Sequence, residues 1–202
     1  MKYLKLNLKN PEQEVLEEIL LFLKKGKVVA LPTDTIYGLS CLATSSAAIK
    51  KIAAIKNRPF NGARHYLMLV SSVTQAKKYV FINNRRNETW SRLRKKRRPV
   101  TVMLPSRKLL SRELEANREV LSLRLPASDF LRKIVKLSGV PLVSTSFNLH
   151  GQNPFSDMTA AYIFFKNKSV KPDLIIDGGL PRSIKPSSLV DLSGDKEVIL
   201  RK

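Results

Sequence analysis

The chain has 202 residues, of which 43% are hydrophobic, and this is enough to bury the core of one domain, which we expect to span residues 1–202. Its 37 lysines and arginines against 16 acidic residues give a formal net charge of +21, which indicates either a polyanionic partner, such as nucleic acid or nucleotide phosphates, or a solvated basic surface. One cysteine excludes an intramolecular disulfide, and no apolar run approaches the roughly 18 residues of a membrane helix, so we expect a cytoplasmic protein with no membrane partner.

The pattern of the first half predicts alternating strands and helices. The first nine residues alternate like an edge strand, and Asn10 and Pro11 then predict the start of a helix that ends at Gly26. An apolar strand, Val28 to Leu31, follows and is stopped by Pro32. The same rules predict a helix from Ser45 or Ser46 to Ile55, a strand over 66–70, a helix over 74–80, a helix within the basic block Arg85 to Arg98 that buries Trp90 and Leu93, and a strand over 100–104.

The second half continues this mixture. Leu121 to Leu125 predicts a strand that holds Arg124 in an apolar frame, and Asp129 to Leu137 predicts an amphipathic helix closed by Gly139. The remaining predicted elements are a strand at Leu142-Val143 that runs into Ser144 to Asn148, a helix over 157–165, a buried run over 174–176, a turn at Asp177-Gly178-Gly179 and a hairpin at Ser193-Gly194. Strands and helices without a repeat indicate an α/β or α+β layered sheet. Cys41, within an apolar run, is expected to be a small core residue.

The residues after the first apolar strand are candidates for ligand binding. Pro32 stops the strand, and Asp34, Thr35 and Tyr37 come on the loop that follows. In open α/β sheets, ligands bind beyond the ends of the strands. The alternative is an ordinary turn in which Thr and Asp side chains satisfy the backbone, and this stretch alone does not decide between the two.

Polar residues recur near the ends of other predicted elements. Lys56 and Arg58, at the end of a helix, offer a point charge and a bidentate fork that suit an anion with several oxygens. They would serve equally well as favourable charges at a helix C-terminus. The hydroxyls and amide of Ser144, Ser146 and Asn148 would complete a phosphate or ribose cradle.

Several common signatures are missing from the sequence. There is no P-loop, no G-x-G-x-x-G after a strand, no H-E-x-x-H and no G-x-S-x-G. No Cys/His cluster has the spacing of a zinc site, so we expect no metal ligands from the protein. His65 and His150 are expected to be loop or surface residues.

Six short motifs follow one another along the chain. They are Leu31–Leu39 (LPTDTIYGL), Lys56–Pro59 (KNRP), Arg98–Thr101 (RPVT), Leu123–Pro126 (LRLP), Gly139–Asn148 (GVPLVSTSFN), and Asp177–Gly179 (DGG) with Ser187-Ser188. In this order they resemble the YrdC/TsaC family of threonylcarbamoyl-AMP synthases, from Asn10 to Arg201. The K-x-R and S-x-N pairs are the most specific part of the resemblance.

The resemblance implies a twisted mixed sheet flanked by helices around a large, basic concave cleft. It also implies a nucleotidyltransferase that joins L-threonine, bicarbonate or CO2, and ATP into threonylcarbamoyl-AMP and pyrophosphate, the first step of t6A37 modification of tRNA. The implied partners are Mg2+ bound with ATP and the threonylcarbamoyl transferase machinery that receives the product. Catalysis in such a site would consist mainly of positioning and charge neutralisation.

Matching the motifs carries roles over to individual residues. Thr35 and Arg124 would hold threonine, with Ser187 closing on it. Lys56 and Arg58 are the expected catalytic residues, exposed in the site and facing the carbamate and the phosphates. The nucleotide-binding residues implied by the resemblance are Lys56, Arg58, Thr101, Ser144, Ser146, Asn148 and Arg201.

Two stretches depart from the family pattern. The family's W-P-G-P turn is replaced by Lys96-Arg-Arg-Pro99, and the loop over 60–66 is longer, with Arg64 or His65 as substitutes for its ATP contacts.

An alternative function is a YrdC-like module that binds double-stranded RNA, tRNA or rRNA through the Arg85 to Arg98 block, without synthase activity. A third is a carbamoyl-transfer relative that acts on another acceptor.

Overall fold

The computed structural model describes residues 1–58, 66–96, 99–115, 119–181 and 186–201. Its strands are β1 (Lys2–Lys5), β2 (Val29–Leu31), β3 (Gly38–Leu42), β4 (Leu67–Leu69), β5 (Val100–Pro105), β6 (Val120–Arg124), β7 (Leu142–Ser146), β8 (Leu174–Asp177), β9 (Ser188–Asp191) and β10 (Val198–Arg201). Its helices are α1 (Gln13–Lys24), α2 (Ser46–Ile55), α3 (Val73–Lys77), α4 (Asn84–Lys95), α5 (Arg112–Glu115), α6 (Asp129–Leu137) and α7 (Met158–Phe165).

The described strands form one mixed sheet in the order β1-β8-β2-β3-β7-β4-β6-β5-β9-β10. β1 and β8 are parallel, as are β4 and β6, whereas β3 and β7 are antiparallel. The predicted mixed sheet flanked by helices is therefore confirmed. Among the helices of the described ranges, none is long and apolar enough to cross a bilayer.

The two faces of the sheet carry separate apolar clusters, because successive residues of a strand point to opposite faces. One face carries Leu39 and Met68 and packs with residues of α2, α4 and α7. The other face carries Leu31 and Leu142 and packs with residues of α1 and α6. On this second face, Leu142 of β7 is followed two residues later by the polar Ser144. The candidate site lies over this polar part of the face.

The start of α1 differs from the prediction. Asn10 and Pro11 are not its first residues, because the helix begins at Gln13 after Glu12, which makes no side-chain cap. Asn7 Oδ1 instead accepts the backbone N–H groups of Lys9, at 3.0 Å, and Asn10, at 3.4 Å. This local turn satisfies the backbone that would otherwise enter the helix and delays its start. The end of α1 is as predicted, with Gly26 at a φ of 67°.

Two strands were not anticipated in full. The pattern does not predict β3, whose five residues (Gly-Leu-Ser-Cys-Leu) include none of the β-branched residues that favour strands. β3 returns antiparallel to β2, so the candidate loop over 32–37 closes a hairpin. β7 continues through Ser146, so Ser144 and Ser146 lie within the strand rather than after it.

Cys41 is fully buried in β3, and burial raises the pKa of its thiol, as expected of a core residue.

Other predicted elements agree closely with the structure. α6 spans Asp129–Leu137, and the Ser128 side chain accepts the N–H of Leu131 as its N-cap. Ser45 caps α2 through the N–H of Ala48. Trp90 of α4 is 1% exposed and lies in the core, as its spacing predicts.

Candidate functional site

A cavity of about 490 Å³ lies over the polar part of the sheet. It brings together residues that the family resemblance assigns to threonine or nucleotide binding and that are far apart in the chain. The predicted residues that line it are Thr35, Thr101, Arg124, Ser144, Ser146, Ser187 and Arg201. Lys56 and Asn148 lie directly behind Ser146, to which both are hydrogen-bonded.

Strand register explains why distant serines meet at this cavity. Ser144 of β7 pairs with Ser40 of β3 on one side and with Leu67 of β4 on the other. Leu67 also pairs with Ser122 of β6. Paired residues share a face of the sheet, so these hydroxyls form one row. Arg124 follows Ser122 by two residues and therefore lies on the same face.

The loop between β2 and β3 carries the hydroxyl groups at one end of the cavity. Thr33 Oγ1 donates to Ile36 O at 2.7 Å and accepts the N–H of Thr35 at 3.0 Å. Because Thr33 has one hydroxyl proton, Thr35 must be the donor in the 3.0 Å contact between the two Oγ1 atoms. Thr35 Oγ1 also accepts from Arg124 Nη1 at 3.2 Å. The orientation of the Thr35 hydroxyl is thus fixed by the protein.

Arg124 places a buried positive charge at the cavity wall, with only 3% of its surface exposed. Its Nη2 lies 3.2 Å from Asp34 Oδ1, and the other Asp34 oxygen accepts the N–H of Ala127 at 3.0 Å. Within the described part of the chain, Asp34 Oδ1 and Arg124 Nε make no aligned hydrogen bond. The ion pair is therefore close but imperfectly oriented.

A second guanidinium faces the same cavity. Arg201 lines it and donates from Nε to Ser187 O at 3.0 Å, and Ser187 Oγ lies 2.7 Å from Thr101 Oγ1. Burial lowers the pKa of Arg124, the charge of Asp34 raises it, and the charge of Arg201 lowers it again. The two arginines therefore repel each other, and an anionic ligand would relieve that repulsion.

Lys56 occupies a different place from the one expected. The prediction that it is exposed is wrong, because it is only 3% exposed. Its Nζ donates to Ser146 O at 2.6 Å, Asn148 O at 3.0 Å and Asn148 Oδ1 at 2.5 Å. These oxygens compensate for the lost water, which is why a cation at the end of α2 turns inward. Burial lowers the pKa of Lys56 to about 8.

The side chains predicted to form a phosphate cradle lie together, but they are hydrogen-bonded to one another and to protein oxygens. Ser146 Oγ donates to Asn148 Oδ1 at 2.6 Å, and Asn148 Nδ2 donates to Gln152 O at 2.6 Å. The donors of Lys56, Ser146 and Asn148 are thus directed at protein oxygens.

Arg58 does not line the cavity, and its role stays a prediction. It is half-buried rather than exposed, so that expectation is also wrong. Within the described ranges its Nε is buried without a hydrogen-bond partner. Asn57 adopts a φ of 49°, which ends α2 in a left-handed residue between the two cations.

Tyr37 ties the candidate loop to the Asp177–Gly179 turn. Its hydroxyl donates to Gly179 O at 2.6 Å and accepts the N–H of Gly178 at 3.0 Å. Burial raises the pKa of Tyr37 to about 12, so the phenol stays protonated at neutral pH. Tyr37 and Asp34 therefore both fix the loop between β2 and β3, Tyr37 through the Asp177–Gly179 turn and Asp34 through Ala127.

Three residues without an assigned role also shape the cavity. Ser122 lines it, and its spacing of two from Arg124 was the signal that could have identified it. Ser40 donates to Ser144 Oγ at 3.3 Å. Gly38 approaches so closely that an added Cβ would lie 2.5 Å from Ser144 Oγ. No sequence pattern reveals these last two contacts, because they depend on strand pairing.

Replacing Gly38 with alanine should displace the Ser144 hydroxyl, since a 2.5 Å contact cannot be accommodated without movement. We expect the free energy of unfolding in urea to fall by about 1–3 kcal/mol. Gly194→Ala is the matched control, because a Cβ there meets nothing within 4 Å, and it should change stability by less than about 0.5 kcal/mol. Equal stabilities for the two variants would contradict the close approach at Gly38.

Some predicted features lie outside the described residues. These are Arg64, His65 and most of the longer loop over 60–66, together with Arg97 and Arg98 in the stretch that replaces W-P-G-P. His150 is exposed, as expected, and its backbone N–H donates to Lys56 O at 2.8 Å. In the parts of the chain that are described, no group of three or more His, Cys, Asp or Glu side chains is arranged to hold a metal ion.

Comparison with known proteins identifies the family. A family model described as Sua5_yciO_yrdC, telomere recombination, matches residues 21–202. The chain belongs to the Sua5/YciO/YrdC family. This confirms the family resemblance of the motifs, and the same fold is seen in a crystal structure of P. abyssi Sua5 complexed with L-threonine, with a TM-score of 0.85, 25% identity and coverage of 100% of this chain and 57% of that one.

Two relatives within the Sua5/YciO/YrdC family differ in length. A threonylcarbamoyl-AMP synthase of Pyrococcus abyssi is 30% identical over 183 residues, which cover 89% of this chain and 51% of that protein. The uncharacterized protein YciO of Escherichia coli is 28% identical over 196 residues, which cover 95% of this chain and 90% of YciO. The crystal structure of E. coli YciO gives a TM-score of 0.81. The chain thus spans about half of the Pyrococcus synthase and nearly all of YciO.

Proposed function

We propose that this chain is a nucleotidyltransferase that makes threonylcarbamoyl-AMP from L-threonine, bicarbonate and ATP. The observation that carries the proposal is the buried Arg124 guanidinium, which lines the cavity beside Thr35 and feels the like charge of Arg201. An incompletely paired buried charge is costly, so this arrangement suits an anionic ligand. Membership in the Sua5/YciO/YrdC family supports the choice of reaction.

We assign L-threonine to the Arg124 end of the cavity. The substrate carboxylate would accept from the Arg124 guanidinium in a charge-assisted hydrogen bond. Thr35 Oγ1 donates to Thr33 and accepts from Arg124, so it has one lone pair left for the substrate ammonium or hydroxyl group. Ser187, held 2.7 Å from Thr101, would close on the amino acid from the other side.

We assign the nucleotide to the β7 side of the cavity. Ser144 and Ser146 present hydroxyls on one face of the strand, and Lys56 and Asn148 lie next to Ser146. Binding would exchange the protein oxygens around Lys56 Nζ for phosphate oxygens. Arg58 and Arg201 complete the proposed nucleotide contacts, and Mg2+ would arrive as the counterion of ATP.

The proposed chemistry needs neutralisation of charge more than proton abstraction. The threonine ammonium loses a proton to water, and the resulting amine condenses with bicarbonate to a carbamate with loss of water. A carbamate oxygen then attacks the α-phosphorus, and the bond from that phosphorus to the bridging oxygen breaks to release pyrophosphate. The guanidinium groups of Arg124 and Arg201 and the ammonium of Lys56 would stabilise the negative charge as it moves.

Pyrophosphate release tests the proposal. The purified protein, mixed with MgATP and bicarbonate, should release pyrophosphate only when L-threonine is added. Parallel reactions with other amino acids distinguish this function from that of a carbamoyl-transfer relative with another acceptor. A rate with L-threonine no higher than the rate without any amino acid would contradict the proposed function.

The product defines the next partner in the proposed sequence of reactions. A carbamoyl adenylate is a reactive mixed anhydride, so an acceptor must consume it soon after release. We infer that the threonylcarbamoyl transferase machinery takes it up for t6A37 modification of tRNA in the cytoplasm.

The RNA-binding module without synthase activity is not favoured. Its motivating feature was the basic block that contains α4, and three arginines of that helix, Arg85, Arg86 and Arg92, contact the β9–β10 hairpin. Binding through phosphates should weaken steeply as salt rises. A strong, steeply salt-dependent affinity for tRNA in a protein that releases no pyrophosphate would restore the alternative.

A further inference from the structure

The β9–β10 hairpin brings Arg201 to the cavity, yet β10 is weakly held by the sheet. β10 is the last strand in the described sheet and pairs with β9. Its residues Val198, Ile199 and Leu200 are about half exposed, so little apolar burial fixes the strand. Pairing with β9 and the hydrogen bond from Arg201 Nε to Ser187 O hold Arg201 directly, so contacts that fix this hairpin outside the core decide how firmly Arg201 is held.

Two arginines in the first turn of α4 hold the turn of this hairpin. Arg86 donates from Nε to Leu192 O at 2.9 Å and from Nη2 to Ser193 O at 2.6 Å. Arg85 donates to Gly194 O at 2.6 Å and to Asp195 O at 2.5 Å. Four consecutive carbonyl groups of the turn are thus bound by two guanidinium forks. A lysine at either position lacks this planar fork.

The location of these arginines on the helix is unfavourable by itself. Positive charge in the first turn of a helix opposes the helix dipole, and α4 has no acidic residue there. Farther along α4, Arg92 pairs with Glu197, just before β10. The compensating gain is therefore the set of contacts with the hairpin, and donors directed at carbonyl oxygens are not free to bind phosphates of RNA.

We propose that Arg85 and Arg86 are positioning residues that hold Arg201 at the cavity and thereby set the affinity of the protein for MgATP. Neither Arg85 nor Arg86 lines the cavity itself. The inference rests on the proposed function, in which Arg201 contacts the nucleotide. Arg201 also donates to Ser187 O, so a loosened β10 would disturb both strands of the hairpin at the cavity wall.

Amide hydrogen exchange measures the structural half of the proposal. In Arg86→Ala and in Arg85→Ala we expect protection over residues 198–201 to fall by about tenfold, because charge-assisted hydrogen bonds to the turn are lost. Arg86→Lys should not restore it. Lys95→Ala, which removes an exposed cation of the same helix, is the control and should leave protection unchanged. Unchanged protection in both arginine variants would overturn the proposal.

A double-mutant cycle with MgATP as the probe tests the functional half. Arg86→Ala should raise the Kd for MgATP by about tenfold in the wild-type background and by nothing further in an Arg201→Ala background. Independent effects, or an Arg201→Ala variant with wild-type affinity, would overturn the positioning role. A protein that binds MgATP but shows no threonine-dependent pyrophosphate release would refute the proposed function instead. The Kd values of the double-mutant cycle could still be measured in that case, because they do not depend on the reaction.

Discussion

Replacing Arg124 with methionine is expected to abolish L-threonine binding and threonine-dependent pyrophosphate release. Arg124 is the buried cation at the threonine end of the cavity, and its Nη1 also fixes Thr35 Oγ1 at 3.2 Å. Its removal leaves the Asp34 carboxylate buried without its 3.2 Å ion-pair partner. We therefore also expect a loss of about 3–5 kcal/mol in the free energy of unfolding.

A charge-compensated variant separates these two effects. In Arg124→Met with Asp34→Asn, the unpaired charge is gone, and the new amide oxygen can still accept the N–H of Ala127. Urea unfolding should show most of the stability restored, while calorimetry should still detect no L-threonine binding. Recovery of threonine binding in the double variant would show that Arg124 supports the fold and does not contact the substrate.

Replacing Lys56 with glutamine is expected to weaken MgATP binding by about 10- to 100-fold, the effect of losing a charge-assisted hydrogen bond. The pKa of Lys56, lowered from 10.5 to about 8 by burial, adds a pH signature. MgATP affinity of the wild-type protein should fall as pH rises through about 8, since Lys56 loses its charge there. The phosphate groups have already titrated near pH 6, so they do not contribute to this change.

The contribution of Lys56 to the free energy of unfolding should rise with pH, whereas MgATP affinity falls. Between about 8 and 10.5 the folded protein has lost the Lys56 proton and the unfolded chain has kept it. The unfolded state then binds more protons, so this group makes folding more favourable as pH rises. Lys56→Arg, which stays charged, should remove both slopes. Parallel pH profiles of MgATP affinity in the wild type and Lys56→Arg would contradict the role of Lys56.

The sequence predicted the fold where local signals and packing agree. α6 has a serine cap, an apolar stripe and a closing glycine, and its observed bounds match the prediction. β3 was missed because small residues in a short buried run carry no clear period. The start of α1 was misplaced because Asn7 forms a competing turn, and a sequence pattern does not show which of two capping groups the backbone will use.

The sequence predicted part of the lining of the candidate cavity but not the arrangement of its residues. Motif order identified residues such as Thr35 and Arg124, which the fold brings within 3.2 Å although they are 89 positions apart. The pairing of Arg124 with Asp34 and the burial of Lys56 depend on tertiary packing, so no spacing in the sequence encodes them. The excess of basic residues predicts a polyanionic ligand, and this prediction depends on the proposed function. Part of the excess has another role, because Arg85 and Arg86 of α4 bind carbonyl groups in the turn of the β9–β10 hairpin.

The central claim is that one cavity holds L-threonine at its Arg124 end and the triphosphate next to Lys56. A crystal structure with L-threonine and a non-hydrolysable ATP analogue tests it most directly. We predict the threonine carboxylate within hydrogen-bond distance of Arg124, and Lys56 Nζ turned from Asn148 to a phosphate oxygen. Threonine bound away from Arg124, or a triphosphate distant from a Lys56 still bonded to Asn148, would contradict the claim.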